Sequence, residues 1–236
     1  MLAVWKRELQ SYFTSPIAYV FISVYMSVCG YYFSTKNVAN YNAEFNSTMG
    51  SVAFVFILII PILTMRLLSE DRRNKTDQLL LTAPLSVSEM VLGKYLGAIT
   101  VFLVGLVISL VYPLAMAIFG NPAWGEIFCA MFGFFLLGSS LVALGLFVSS
   151  TTDSQIVACI ITLVVVLLLY VGNTLSSFIN VAWVASAVSW LSIFKYYTPF
   201  YSGLLDLPSV VYFISFSAVF VFLAIRNVEK RRWSEA

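Results

Sequence analysis

The chain has 236 residues, of which 61% are hydrophobic and only 10% charged. Soluble domains carry roughly 25% charged residues, so this composition excludes an ordinary water-soluble protein and calls for lipid around most of the surface. The net charge is only +2 and histidine is absent, which removes the usual general base, proton shuttle and commonest metal ligand.

The first element is a helix predicted over 2–14. Trp5, Leu9, Tyr12 and Phe13 share one of its faces, with Lys6, Arg7 and Gln10 elsewhere. Such a helix lies on a leaflet, in contact with membrane lipid. The same residues also fit a basic anchor that only sets orientation. Lys6 and Arg7 precede an apolar run, as in a signal peptide. The uncharged run 9–35 is too long for that, so it reads as a retained span.

A bilayer core of about 30 Å takes roughly 20 apolar residues in a helix. Charge-free stretches of that size predict spans near 17–33, 50–65, 95–118, 127–148, 156–174 and 208–225. Pro16 and Pro208 open spans one and six, where a missing N–H costs nothing. Pro61 and Pro113 fall within spans two and three and should kink them. Gly93 and Gly97, like Ser139 and Ala143, have the spacing that lets helices approach closely. Cys29, Cys129 and Cys159 lie in apolar runs without CxxC or metal spacing and read as small buried hydrophobes.

Between spans two and three, 66–94 is the longest polar stretch, with five of the 13 cations and four of the 11 anions. Leucines flank its charges. A helix is predicted to end before Pro84, and a second to start at Ser86, which stands at capping-box spacing from Glu89. The stretch therefore reads as a structured helix–turn–helix, either docking a partner or simply fixing topology. Another short polar loop, 149–155, separates spans four and five, and Asp153 there suits the N-cap of span five. In 181–201, Trp183, Trp190, Tyr196, Tyr197 and Tyr201 crowd together as at a membrane interface. This segment is expected to lie in, or dip into, the outer interface.

With six spans and both termini cytoplasmic, the inner cations are Lys6, Arg7, Arg66, Arg72, Arg73, Lys75, Lys94, Arg226, Lys230, Arg231 and Arg232. Only Lys36 and Lys195 face out. That bias satisfies the positive-inside rule, and a seventh span would weaken it.

A resemblance runs nearly end to end, carried by two segments above all and also by the loop Ser149 to Gln155 and by Tyr201-Ser202-Gly203 through Val211-Tyr212-Phe213. The opening Lys6-Arg7-Glu8-Leu9-Gln10-Ser11-Tyr12-Phe13-Thr14-Ser15-Pro16 resembles that of ABC-2 type transporter permeases, closest to the short gliding-motility kind. The loop run Ser69-Glu70-Asp71-Arg72-Arg73-Asn74-Lys75-Thr76-Asp77-Gln78, continued by Glu89-Met90-Val91-Leu92-Gly93-Lys94, is similar to that family's cytoplasmic motif. Lys75 and Gln78 depart from it, standing where glycine and glutamate are common.

The resemblance implies a single all-α membrane domain over 1–236 with an N-terminal amphipathic helix and a coupling helix between spans two and three. It implies paired permeases, from a second copy or a homologous permease, each served by a separate cytoplasmic ABC ATPase. It also implies export. Glu70, Asp71, Arg72, Arg73 and Thr76 would belong to the coupling segment, and Thr152, Asp153 and Gln155 to a minor inner loop. ATP and Mg would sit on the partner, since no G-x-x-x-x-G-K-[ST] occurs in this chain. No catalytic residue, cofactor, metal or nucleic acid is expected for the permease itself, which would reside in a prokaryotic inner membrane.

Other classes fit less well. An intramembrane enzyme or ion-coupled carrier needs polar groups at membrane depth, and no Asp, Glu, Lys or Arg falls deep in a predicted span. A membrane scaffold anchoring an ATPase without a transport path would share the docking loop.

Overall fold

The structure, a computed structural model, describes residues 1–40, 44–73, 86–176 and 192–234. Among them every regular element is helical. Helix α1 (Leu2–Thr14) stops at Ser15, whose backbone is extended, and Pro16 opens α2 (Pro16–Phe33). Helix α2 runs on into a π-helical turn, Ser34–Val38. Then come α3 (Phe45–Thr64), α4 (Ser69–Arg73), α5 (Val87–Ile108) and α6 (Val111–Phe119). Helices α7 (Trp124–Thr151), α8 (Gln155–Ser176), α9 (Ile193–Tyr201) and α10 (Leu207–Ser234) complete the order. Among the described residues, six stretches are long and apolar enough to cross a membrane: Pro16–Val38, Phe45–Arg73, Val87–Ile118, Trp124–Thr151, Gln155–Gly172 and Leu207–Arg231.

Two boundaries differ from the sequence expectation. The second loop helix is not separate. It is the first two turns of α5, which starts at Val87 with a complete Ser86–Glu89 capping box. Asp153 is not the N-cap of α8, because that helix begins two residues later, at Gln155.

The break between α5 and α6 follows from Pro113. Its missing N–H leaves the Ser109 carbonyl without the donor an α-helix would supply. The Tyr112 N–H takes that carbonyl instead, at 3.2 Å. Pro61 acts differently: α3 continues past it and ends one turn later, at Thr64.

Helix α7 is the axis of the bundle and packs against α3, α5, α8, α9 and α10. Its apolar window is 83% buried against 22% for those of α2, α8 and α10, so α7 is walled by protein and the others face outward. Small residues make that position tenable. A Cβ built on Gly133, Gly138 or Gly145 would fall 2.2 to 2.3 Å from Phe200, Phe102 or Thr64, respectively. Beside it an aromatic core forms, with Phe56 4.9 Å from both Phe102 and Phe134 by ring centroids. Tyr25 stacks on Phe134 at 5.9 Å and donates its hydroxyl proton to Ser109 Oγ, beside the α5–α6 break.

Candidate coupling site at the basic end

At one end of the bundle α1, α4, the α7–α8 loop and the last turns of α10 come together. Helix α1 lies across the start of α5. Built Cβ atoms on Gly93 and Gly97 would meet Val4 at 2.9 Å and Glu8 at 3.0 Å, so the two glycines are the seat on which α1 rests. The buried face of α1 is Val4, Glu8 and Tyr12. Trp5, Leu9 and Phe13 flank that face and are half-buried. Trp5 donates its indole N–H to Thr100 Oγ1 at 3.0 Å.

Tyr12 donates its hydroxyl proton to the Leu63 carbonyl at 3.0 Å. Burial pushes its phenol well above the ordinary range, and nearby Arg66 offsets only part of that. Tyr12 therefore stays neutral and stays a donor.

The centre of this junction is Lys94. Its side chain is only 3% exposed and reaches Glu8 Oε1 at 2.8 Å and Asp71 Oδ2 at 2.6 Å. One ammonium thus joins α1, α4 and α5. Arg7 also reaches Glu8 Oε1, at 3.2 Å. A buried ion pair must be matched by geometry to offset its desolvation, and two carboxylates around one ammonium do that here.

Arg66 makes a second tie. It donates to Ser15 Oγ at 3.0 Å and to Ser11 Oγ at 2.7 Å, pairs with Glu70 at 3.1 Å, and lies 4.8 Å over the Tyr12 ring.

The third tie runs to the α7–α8 loop. Ser149 Oγ accepts from the Leu68 and Ser69 N–H groups, both at 3.0 Å. Arg72 pairs with Asp153 and donates to the Ser150 carbonyl at 3.1 Å. From α10, Asn227 donates to the same Ser150 carbonyl at 2.8 Å, and Arg231 approaches Asp153 at 3.9 Å.

The structure therefore brings together Glu70, Asp71, Arg72, Asp153, Tyr12 and Trp5 from the predicted residues. Arg73 is also on α4 but is exposed. Thr152 caps the turn into α8, accepting from the Ser154 N–H at 3.2 Å, and Gln155 is the first residue of that helix. Thr76, Lys75 and Gln78 lie outside the described residues, as do 181–191 of the predicted outer segment. The rest of that segment is α9, whose Ile193, Tyr197 and Phe200 are buried, so this part packs on protein.

Sequence reasoning missed Glu8, Lys94, Arg66, Ser149 and Asn227 as functional positions. For Glu8 a signal existed: it stands one turn after Val4 and one before Tyr12, an acid on an apolar face.

A family model described as ABC-2 family transporter protein matches residues 7–226. The match covers nearly the whole chain, which therefore belongs to the ABC-2 transporter family. It is a multi-pass membrane permease component of an ABC transporter, a class that lacks nucleotide-binding motifs and associates with an ABC ATPase subunit. No curated protein matches the chain.

Proposed function

We propose that this permease couples ATP hydrolysis on a separate cytoplasmic ABC ATPase to export of a cargo, with α4 and the loop that follows as the coupling element. The observation that carries this reading is the anchoring of α4. Asp71 and Arg72 fasten it to α5 and the α7–α8 loop, while Arg73 is left exposed. A push on α4 reaches α5 and α7 directly, α1 through Lys94, and α10 through Ser150 and Asp153. An ATPase can use such a lever only if its ATP-bound state prefers one permease conformation over another.

In this reading the basic end and both termini are cytoplasmic, in keeping with the distribution of lysine and arginine. ATP and Mg sit on the partner. The permease works as a pair, with a second copy or a homologue, in a prokaryotic inner membrane. Its nearest subgroup is the gliding-motility kind. The lack of charges deep in the spans fits a lipid-like, peptide or polymer cargo better than a small ion.

The exposed and anchored arginines separate docking from folding. Arg73→Glu is expected to weaken ATPase retention roughly tenfold, the equivalent of about 1.4 kcal/mol, with insertion and thermal unfolding unchanged. Arg72→Glu/Arg73→Glu should abolish retention and also lower the unfolding temperature, because Arg72 is an internal tie. Co-purification stoichiometry and a melting curve read both. Full retention in the double variant would sink the coupling assignment.

A further inference from the structure

Away from the basic end of the bundle, two cavities lie along α2 and α3. The first, about 380 Å³, is lined by Lys36, Ser51, Phe54, Tyr197 and Tyr201 among others. The second, about 410 Å³, runs along one face of α2 past Ser23, Ser27 and Tyr31 to Val55. Tyr32, which lines the second, has its ring centroid 6.0 Å from the ammonium of Lys36, which lines the first. From Ser23 to Lys36 is thirteen residues, about 20 Å of helix. One leaflet of a hydrocarbon core about 30 Å thick is close to that length once its headgroup layer is added.

The second cavity is mainly apolar, and the first is mixed, with Lys36, Ser47, Ser51 and Thr198 in its wall. Ser27 turns its hydroxyl to the Ser23 carbonyl at 2.8 Å. Lys36 is half-buried in the π-helical turn Ser34–Val38, a distortion frequent at functional sites. Its ammonium donates to the Ser47 carbonyl at 3.1 Å and to Ser51 Oγ. These two oxygens are neutral, and an ammonium has a third donor to offer.

We infer that this groove binds an anionic amphiphile of the outer leaflet, with its acidic headgroup on Lys36 and its acyl chain along α2 beside Val55. The inference rests on the topology proposed above, which puts Lys36 at the outer surface, and assumes nothing about transport.

The test uses the full chain in nanodiscs holding phosphatidylglycerol or phosphatidylcholine with a photoreactive diazirine on the acyl chain. Adducts are mapped by peptide mass spectrometry. Adducts on the peptides containing Ser23–Tyr32 and Ser51–Val55 should form about fivefold more with phosphatidylglycerol, the effect of one lysine on an anionic lipid. Lys36→Ala should lower that yield to the phosphatidylcholine level, and Lys36→Arg should keep it. Equal yields from the two lipids, or a yield unchanged in Lys36→Ala, overturns the proposal. So does loss of the preference to soluble glycerol phosphate without any groove adduct, which would mark a bare anion site. Absence of adducts together with cross-links between two copies through α2 also overturns it, since another permease would then cover the groove. ATPase retention measured on the same preparation distinguishes failure of the groove from failure of the coupling reading.

Discussion

Replacing Lys94 with methionine is expected to destabilise the basic end by about 3 kcal/mol, the lower part of the cost of breaking a buried pair. Methionine keeps the length of the side chain and removes the charge. Glu8 and Asp71, which now share one ammonium at 2.8 and 2.6 Å, would face each other in a site whose walls are α1, α4 and α5. The cost is not larger because Arg7 still reaches Glu8. The loss should appear as a lower unfolding temperature in detergent and as early protease cleavage between α1 and α2. Adding Glu8→Gln and Asp71→Asn should recover more than half of it, because the triple variant holds no uncompensated buried charge. If Lys94→Met unfolds like the parent, the triad does not hold these helices together. The exposed Arg226–Glu229 pair at 3.0 Å is the contrasting case. Its removal should be silent, as for most surface pairs.

Gly138→Val is expected to be the more damaging change. A Cβ there would stand 2.2 Å from Phe102, a ring with no solvent exposure wedged between Phe56 and Phe134. Ordinary overpacking costs about 1–3 kcal/mol. Here the obstacle is an aromatic ring with no free volume to enter, so the cost approaches that of losing a buried Phe, about 3–5 kcal/mol. The variant should accumulate poorly and melt early. Phe102→Ala in the same chain should restore part of the loss, a non-additivity that marks the two residues as one contact. Gly125→Val is the control, because nothing lies within 4 Å of its built Cβ. Equal effects at Gly125 and Gly138 would refute the packing explanation.

The spans were legible because lipid demands long uninterrupted apolar runs, and these show in one dimension. The two prolines expected to kink spans diverged, since a proline one turn from a helix end has little helix left to bend. Gly93 and Gly97 were legible as a close-contact pair, but their partner was not. Val4 and Glu8 stand nearly ninety positions away, and nothing local joins them. Lys94 looked like one more inner cation because its neighbours in sequence are apolar while its partners are on α1 and α4. Asp153 had two readings, an N-cap of span five and a member of the inner loop, and only the distant Arg72 that holds its carboxylate separates them. What sequence reading saw of the site was its charged α4, Asp153 of the inner loop and part of the face of α1. What it could not see was the set of ties that fixes α4 to the bundle, because every one of them spans two or more elements.

Affinity purification of the tagged chain from detergent-solubilised membranes of its own host, with mass spectrometry of what accompanies it, tests the central claim most directly. The account predicts a soluble P-loop ATPase at stoichiometric level, lost when Arg72 and Arg73 are both reversed to glutamate. A chain that purifies without any ATPase across several mild detergents, with α4 and its loop intact, would contradict it.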